Sequence, residues 1–468
     1  MPRLAVPAGR LMKKIRLNAF LMNCVTHLAP GLWTLEENRA VDYLTPQYWT
    51  GLARTLERGG FEGVFLGDVL GVYDVYEGKP DAALRTASQA PMNDPLATIP
   101  LMSAVTEHLG FGVTCSLTYE HPYTFARRMT TLDHLTQGRV AWNIVTSYLN
   151  SAARNLGLDQ QLSHDERYDL ADEYMQVCYK LWEGSWEDGA VVRDREKGVY
   201  TDPTKVHPIA HHGKYFNVPG FHMCEPSTQR TPVLFQAGSS GRGKVFAATH
   251  AECVFLAAPT RAIIRRNVDD VRARATAAGR DGDAVLTFAM FTVIVGETSE
   301  AAQQKYARYR RHADVDGAAA LLAGWTGIDL STYDRQQVLE YFATDAGQSA
   351  LASFSTADPS RQWTVGEVID YVSLGGRGPV IVGSPTEVAD EMQAWMAETG
   401  LDGFNLTYAT MPGTFDDVVE LLVPELRRRG CYRDAYTPGS YREKLFGKGA
   451  RLPSTHPGAN YRDLNAAL

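Results

Sequence analysis

The chain has 468 residues, 44% of them hydrophobic and 21% charged, which is long enough to bury about three quarters of its extended surface without disulfides or metal. Its 46 basic and 54 acidic residues give a net charge of −8, with the signs interspersed and no basic run, so nucleic acid is excluded as a partner. No apolar stretch approaches the roughly 20 residues of a membrane span. The cysteines (Cys24, Cys115, Cys178, Cys224, Cys253 and Cys431) lie far apart with no CxxC pair. That spacing reads as reduced thiols of a cytoplasmic protein rather than zinc ligands or a disulfide framework.

Residues 1–11 precede Met12 and read as an N-terminal extension, with an apolar run too short for a secretory signal. From there strand-like and helix-like runs alternate. Strand Ile15–Phe20 leads to helix Pro46–Arg58, strand Gly63–Gly67 to helix Leu96–His108, and strand Phe111–Ser116 to helix Thr124–Leu135. Strand Arg139–Val145 precedes helix Glu166–Trp182, strand Pro232–Gln236 precedes helix Gly243–His250, and strand Cys253–Leu256 precedes helix Arg261–Ala277. Strand Val285–Val295 is followed by helices Glu300–His312 and Pro385–Glu398, and strand Gly403–Tyr408 by helix Phe415–Arg429.

Most of these strands are continuous apolar runs, as expected of parallel strands covered on both faces. Eight strand–helix units predict an α/β fold, a (β/α)8 TIM barrel. An open doubly wound sheet uses the same alternation, but eight units without a composition break favour the barrel. Residues 12–429 would form it. Segments at about 184–231 and 313–379 are expected as insertions after strands 4 and 7, on loops where lids and substrate pockets are built. The polar, tyrosine-rich tail 430–468 is expected to pack across a neighbouring surface. Histidines His207, His211 and His212 lack a carboxylate cluster and read as exposed loop residues rather than a metal site.

The sharpest local motif is TPVLFQAGSSGRGKV, where a strand ends at Gln236 and a helix follows Gly238-Ser239-Ser240-Gly241-Arg242-Gly243-Lys244. The spacing fits G-x-x-x-x-G-K, but Val245 stands where a P-loop needs a hydroxyl for magnesium. What remains is an anion site of converging amides, serine hydroxyls and a helix N-terminus, with Arg242 and Lys244 adding positive charge. It suits the terminal phosphate of a mononucleotide cofactor; the bland alternative is a tight turn whose glycines serve geometry alone. Asp68, Thr114, Asn143, Thr146 and Ser147 fall at strand C-termini, where a barrel places its chemistry. His164 and Tyr168, four apart at a helix start, share one face. No nucleophile elbow, H-E-x-x-H or nicotinamide fingerprint occurs.

The strings LNAFLMNCVTH, MTTLDHLTQGRVAWNIVTS, SHDERYDLADEYMQVCYKLWEGSWEDGAV and CEPSTQRTPVLFQAGSSGRG resemble the bacterial luciferase-like flavin monooxygenases, in the branch of the nitrilotriacetate and dibenzothiophene sulfone enzymes. The resemblance runs from Lys13 to about Asp463. It implies a homodimeric or homotetrameric barrel that uses reduced flavin mononucleotide (FMNH2) from a separate NAD(P)H:FMN oxidoreductase and transfers one oxygen atom through a peroxyflavin. Carried over residue by residue, Asp68, Thr114, His164, Tyr168 and Ser239 look like flavin contacts, joined by Asn143, Ser147 and Ser240. Tyr148, His27 and Cys24 are carried over as candidates for the reaction site and substrate pocket.

Alkane-oxidising members carry a histidine in the VTS segment where this chain has Tyr148. That tyrosine and the GWTGID segment are more similar to sulfide-oxidising members. Cys24, Tyr73, Trp325 and Phe20 would line an apolar pocket, so the expected substrate is a small apolar organosulfur compound, most simply an alkyl sulfide. Long-chain alkane hydroxylation and a non-catalytic flavin-binding barrel are the alternatives.

Overall fold

A computed structural model describes residues 13–238, 240–341 and 346–464; the predicted extension 1–11 and Ser239 lie outside them. Eight parallel strands close into a barrel: β1 (Arg16–Met22), β2 (Gly63–Gly67), β3 (Gly110–Ser116), β4 (Val140–Val145), β5 (Val233–Gln236), β6 (Cys253–Leu256), β7 (Leu286–Val295) and β8 (Gly403–Thr407). Neighbours in sequence pair in order, and the ring shuts where β8 meets β1, Arg16 opposite Gly403 and Ala19 opposite Leu406. The expected TIM barrel is therefore the observed fold.

The side chains explain why the strands are apolar throughout. On β1, Leu17, Ala19 and Leu21 face the helices while Phe20 points inward. On β4, Trp142 and Ile144 face out and Ala141 faces in. Inside, the rings of Phe20, Phe65, Phe235 and Phe255 meet edge to face at 5.0–5.4 Å. The barrel is thus a packed core rather than a pore.

Helices α1 (Pro46–Arg58), α2 (Ile99–Ser103), α3 (Pro122–Leu135), α4 (His164–Tyr179), α5 (Gly241–His250) and α6 (Arg261–Ala277) cover the outside. The helix expected over Leu96–His108 is shorter than its pattern suggested: a 3-10 turn, Pro95–Thr98, leads into the five residues of α2. The unit after β7 is long, with α7 (Ser299–His312), α8 (Val315–Thr326), α9 (Gln348–Ser355) and α10 (Val365–Val372) before the closing helix α11 (Pro385–Thr399). A strand not anticipated from sequence, Val380–Gly383, brings this excursion back by pairing along the C-terminal half of β7 from Thr292 to Val295. The excursion has its own small core around Leu322, Leu351, Phe354 and Trp363 and leans over the C-terminal end of the barrel.

Residues 184–231 behave differently. They join the C-terminal end of α4 to the start of β5, so they lie at the strands' N-terminal end. There Asp188 pairs with Arg230 at 2.6 Å and with Arg451 of the tail at 3.0 Å. His211, expected to be exposed, is buried against Glu173 at 3.2 Å; His207 pairs with Glu187 at 2.7 Å.

The tail closes this end. Tyr432 and Tyr436 donate to the carbonyls of Gly60 and Phe61, and Tyr441 packs on the strand starts, where a Cβ on Gly110 would sit 2.5 Å from its ring. Buried Arg442 grips Glu252 with two hydrogen bonds of 2.7 and 2.8 Å.

Candidate active site

At the strands' C-terminal ends lies a cavity of about 280 Å³. Asp68 beyond β2, Ser147 and Tyr148 beyond β4, and His164, Arg167 and Tyr168 of α4 form part of its wall. The turn after β5 contributes Gln236, Gly238 and Ser240, and the excursion after β7 contributes Trp325, Gly347 and Arg377. No described residue of 184–231 lines it; Thr228 of that segment instead lines a cavity at the strands' N-terminal end.

The glycine turn is organised around Ser240. Its Oγ accepts from the Gly243 N–H at 3.0 Å and caps α5, satisfying one of the amides a helix start leaves open. His164 Nε2 lies 3.1 Å from the same oxygen, while its Nδ1 lies 2.9 Å from the Asp165 carboxylate. A carboxylate only accepts, so Nδ1 donates to Asp165 and turns Nε2 toward the Ser240 hydroxyl. Tyr168 packs 5.3 Å from the His164 ring and 5.6 Å from Phe246 of α5, which sets its hydroxyl over the turn. A Cβ on Gly243 would stand 2.6 Å from that hydroxyl, and one on Gly238 3.0 Å from it. Both glycines are therefore needed for close approach.

The two cations expected to strengthen the anion site both have aspartate partners. Arg242 is held by Asp172 at 2.6 Å and Asp169 at 3.1 Å, and Lys244 by Asp270 at 2.8 Å. Neither lines the cavity. The turn's positive character comes from its backbone.

Burial pushes the Asp68 carboxyl up to about 7, with the charge of Asp94 adding to the effect and the Val69 N–H opposing it. Ser147 has φ 57° and donates to Ser116 at 3.0 Å. Tyr148 lies 3.0 Å from Tyr73, whose hydroxyl donates to Gln89 at 2.9 Å. Thr114 and Asn143 are register partners on β3 and β4, joined by a 2.9 Å hydrogen bond. They lie outside the lining of this cavity. Two buried amide oxygens, Asn143 Oδ1 and Gln236 Oε1, have no hydrogen-bond partner among the described residues.

Cys24 and His27 lie behind the wall rather than on it. The Cys24 thiol is buried, donates to the Thr26 carbonyl at 3.2 Å and is held far from ionisation by that burial. His27 stacks edge-on to Phe20 at 4.4 Å, and burial pushes it down to about 3, so it stays neutral. Phe20 belongs to the barrel interior and Tyr73 stands behind Tyr148, so of the expected apolar lining only Trp325 reaches the cavity. Sequence reasoning missed Gln236, Arg167 and Arg377. For Arg377 a signal existed, a single cation bracketed by glycines in GGRGP.

Comparison with known proteins extends the geometry. A dimethyl-sulfide monooxygenase of Hyphomicrobium sulfonivorans is 54% identical, covering 97% of this chain and 95% of its own. A long-chain alkane monooxygenase of Geobacillus thermodenitrificans (strain NG80-2) is 52% identical, covering 97% of this chain and 100% of its own. The crystal structure of a riboflavin lyase with modified FMN and substrate riboflavin has a TM-score of 0.90 at 38% identity, covering 96% of this chain and 100% of that one. The luciferase-like monooxygenase family model matches residues 20–403, from Phe20 on the first barrel strand to Gly403 on the last. A match that spans the closed ring leaves the assignment to no single motif: the chain belongs to the bacterial luciferase-like monooxygenases, a family of flavin-dependent oxidoreductases.

Proposed function

We propose that the protein is an FMN-dependent monooxygenase that receives FMNH2 from a separate NAD(P)H:FMN oxidoreductase and places one oxygen atom from O2 on a small organosulfur substrate, most simply an alkyl sulfide. The observation that carries the cofactor reading is the turn around Ser240. A capped helix start, the hydroxyls of Ser240 and Tyr168, the His164 ring and two glycines without room for a Cβ converge on one point. Of these, the amides at the α5 start and the Tyr168 hydroxyl are donors a terminal phosphate can use without metal. Gln236 Oε1, buried and unpaired on the same wall, offers an acceptor to a ring N–H.

Bound FMNH2 would supply the electrons that activate oxygen. The chain's own part is to bind, orient and keep water out. Ser240, Tyr168 and the amides of α5 hold the phosphate end, Asp68 and Gln236 face the wall opposite Trp325, and the phenylalanine-packed barrel below forms a dry floor. The sulfide reading is supported by the 54% identical dimethyl-sulfide enzyme. The 52% identical alkane enzyme supports hydroxylation of a long alkyl chain instead.

The test is anaerobic titration with FMNH2, followed by an oxygen-18 pulse over a panel of sulfides and alkanes. Labelled sulfoxide or cleaved sulfide is expected. Tight flavin binding with no labelled product from any substrate would make the protein a flavin-binding barrel. Ser240→Ala should weaken FMN binding by about 1–3 kcal/mol, and unchanged affinity would overturn the phosphate assignment.

A further inference from the structure

Arg377 is a cation without a carboxylate partner among the described residues. It lines the cavity, and among the described residues no carboxylate lies within ion-pair distance of it. Asp68 is the only carboxyl among the described lining residues, and its charged neighbour is Asp94 rather than Arg377. The contrast with the glycine turn is direct, since Arg242 and Lys244 each have aspartate partners. The guanidinium lies 5.9 Å from the centre of the Trp325 ring, and the titratable groups acting on it are the phenols of Tyr148 and Tyr73. A cation drawn out of water costs several kcal/mol unless an anion joins it.

The backbone holds this charge in place. Gly375 and Gly376 have φ of +92° and +66°, conformations that side chains rarely adopt. A Cβ on Gly378 would overlap the Met290 carbonyl of β7, and one on Gly376 would stand 3.0 Å from Leu28. The loop is thus seated on the barrel rim, and its position is set before any ligand arrives. Tyr148 cannot supply the donor instead, because its proton is committed to Tyr73 and only its lone pairs remain. The flavin phosphate has its own place at Ser240, so the anion for Arg377 is a second one.

We propose that Arg377 anchors the head group of the substrate, and that the substrate is a small thioether or alkyl compound carrying a compact oxyanion, a carboxylate or a sulfonate, at the end opposite the oxidised atom. The planar fork of a guanidinium matches both groups with two parallel hydrogen bonds. This rests on the proposed function for the identity of the oxidised atom and for the flavin phosphate at Ser240 that makes this anion a second one.

The test is calorimetric titration of FMN-saturated protein with 4-(methylthio)butanoate and with its neutral methyl ester. The acid should bind at least tenfold more tightly than the ester, about 1.4 kcal/mol. Arg377→Met should abolish that preference while leaving FMN affinity unchanged within about threefold, and Arg377→Lys, which keeps the charge and guards against a folding defect, should keep part of it. Equal binding of acid and ester, binding of neither, or a preference that survives Arg377→Met overturns the proposal. Loss of FMN affinity in Arg377→Met also overturns it, since the anion would then belong to the flavin. If wild-type protein binds no FMN, the cofactor reading fails by itself, and the acid–ester comparison on the flavin-free protein still decides the role of Arg377.

Discussion

Tyr148 gives its hydroxyl proton to Tyr73, 3.0 Å away and deeper in the fold. The direction follows from Gln89, whose Nε2 donates to the His27 carbonyl at 2.8 Å, leaving Oε1 to accept from Tyr73 at 2.9 Å. Tyr73 has then spent its proton and accepts from Tyr148. The chain ends on an amide and so carries no proton to solvent. Tyr148→Phe should leave FMN affinity within about threefold, change turnover, and cost about 0.5–1.5 kcal/mol in urea unfolding. Tyr73→Phe, which orphans Gln89 Oε1, should cost more, about 1–3 kcal/mol. Lost FMN binding in Tyr148→Phe would make Tyr148 a cofactor residue.

Gly243→Ala places a methyl 2.6 Å from the Tyr168 hydroxyl and 2.9 Å from Ser240 Oγ. Either hydroxyl must move, and both belong to the proposed phosphate site. FMN affinity should fall at least tenfold by fluorescence quenching. Adding Tyr168→Phe relieves the nearer contact, so the double variant should bind better than Gly243→Ala alone. If the two losses simply add, the crowding argument fails.

Asp68 should make the protein sensitive to pH near neutrality. Its folded-state value of about 7 lies above the ordinary 3.8, so the folded chain keeps a proton that the unfolded chain releases. The contribution is full below the unfolded value and is lost as pH rises through about 7. Relative to Asp68→Asn, the wild type should therefore lose thermal stability between about pH 5 and pH 8. Asp94→Asn removes a charge that raises Asp68 and should move the midpoint lower. A wild-type profile parallel to that of Asp68→Asn would show that Asp68 titrates normally.

Arg442 and Glu252 form a buried pair at the closed end of the barrel, reinforced by Arg442 donating to the Thr231 carbonyl at 3.0 Å and the Ala450 carbonyl at 2.7 Å. Arg442→Met leaves Glu252 buried with its charge uncompensated, a loss of about 3–5 kcal/mol that calorimetry should read as a lowered Tm. Adding Glu252→Gln should recover part of it. FMN affinity should stay unchanged, because the pair sits at the opposite end from Ser240.

The barrel was legible because each strand is an apolar run with a helix signal after it, and those signals are local. Ser384 with Glu387 forms a capping box at the start of α11, one such local signal. The strand Val380–Gly383 was missed because four apolar residues beside a helix start look like part of its approach; only pairing with β7 makes them a strand. His164, Tyr168 and Ser240 were legible from motif and spacing. The charge of Arg242 and Lys244 is visible in sequence, but their partners Asp172 and Asp270 come from other helices and are not. The glycines around Arg377 mark a fixed loop, but not that the cation in it lacks a carboxylate partner among the described residues.

The ring of strands shuts only when β8 reaches β1, and its lower mouth is stoppered only when Tyr441 and Arg442 arrive. A chain growing on the ribosome therefore stays an open sheet with two bare edges until Gly403–Thr407 emerge. Copies cut short before Gly403 would keep those edges for good. For such fragments, sticking to one another is the expected fate, and the five residues of β8 are what remove both edges at once.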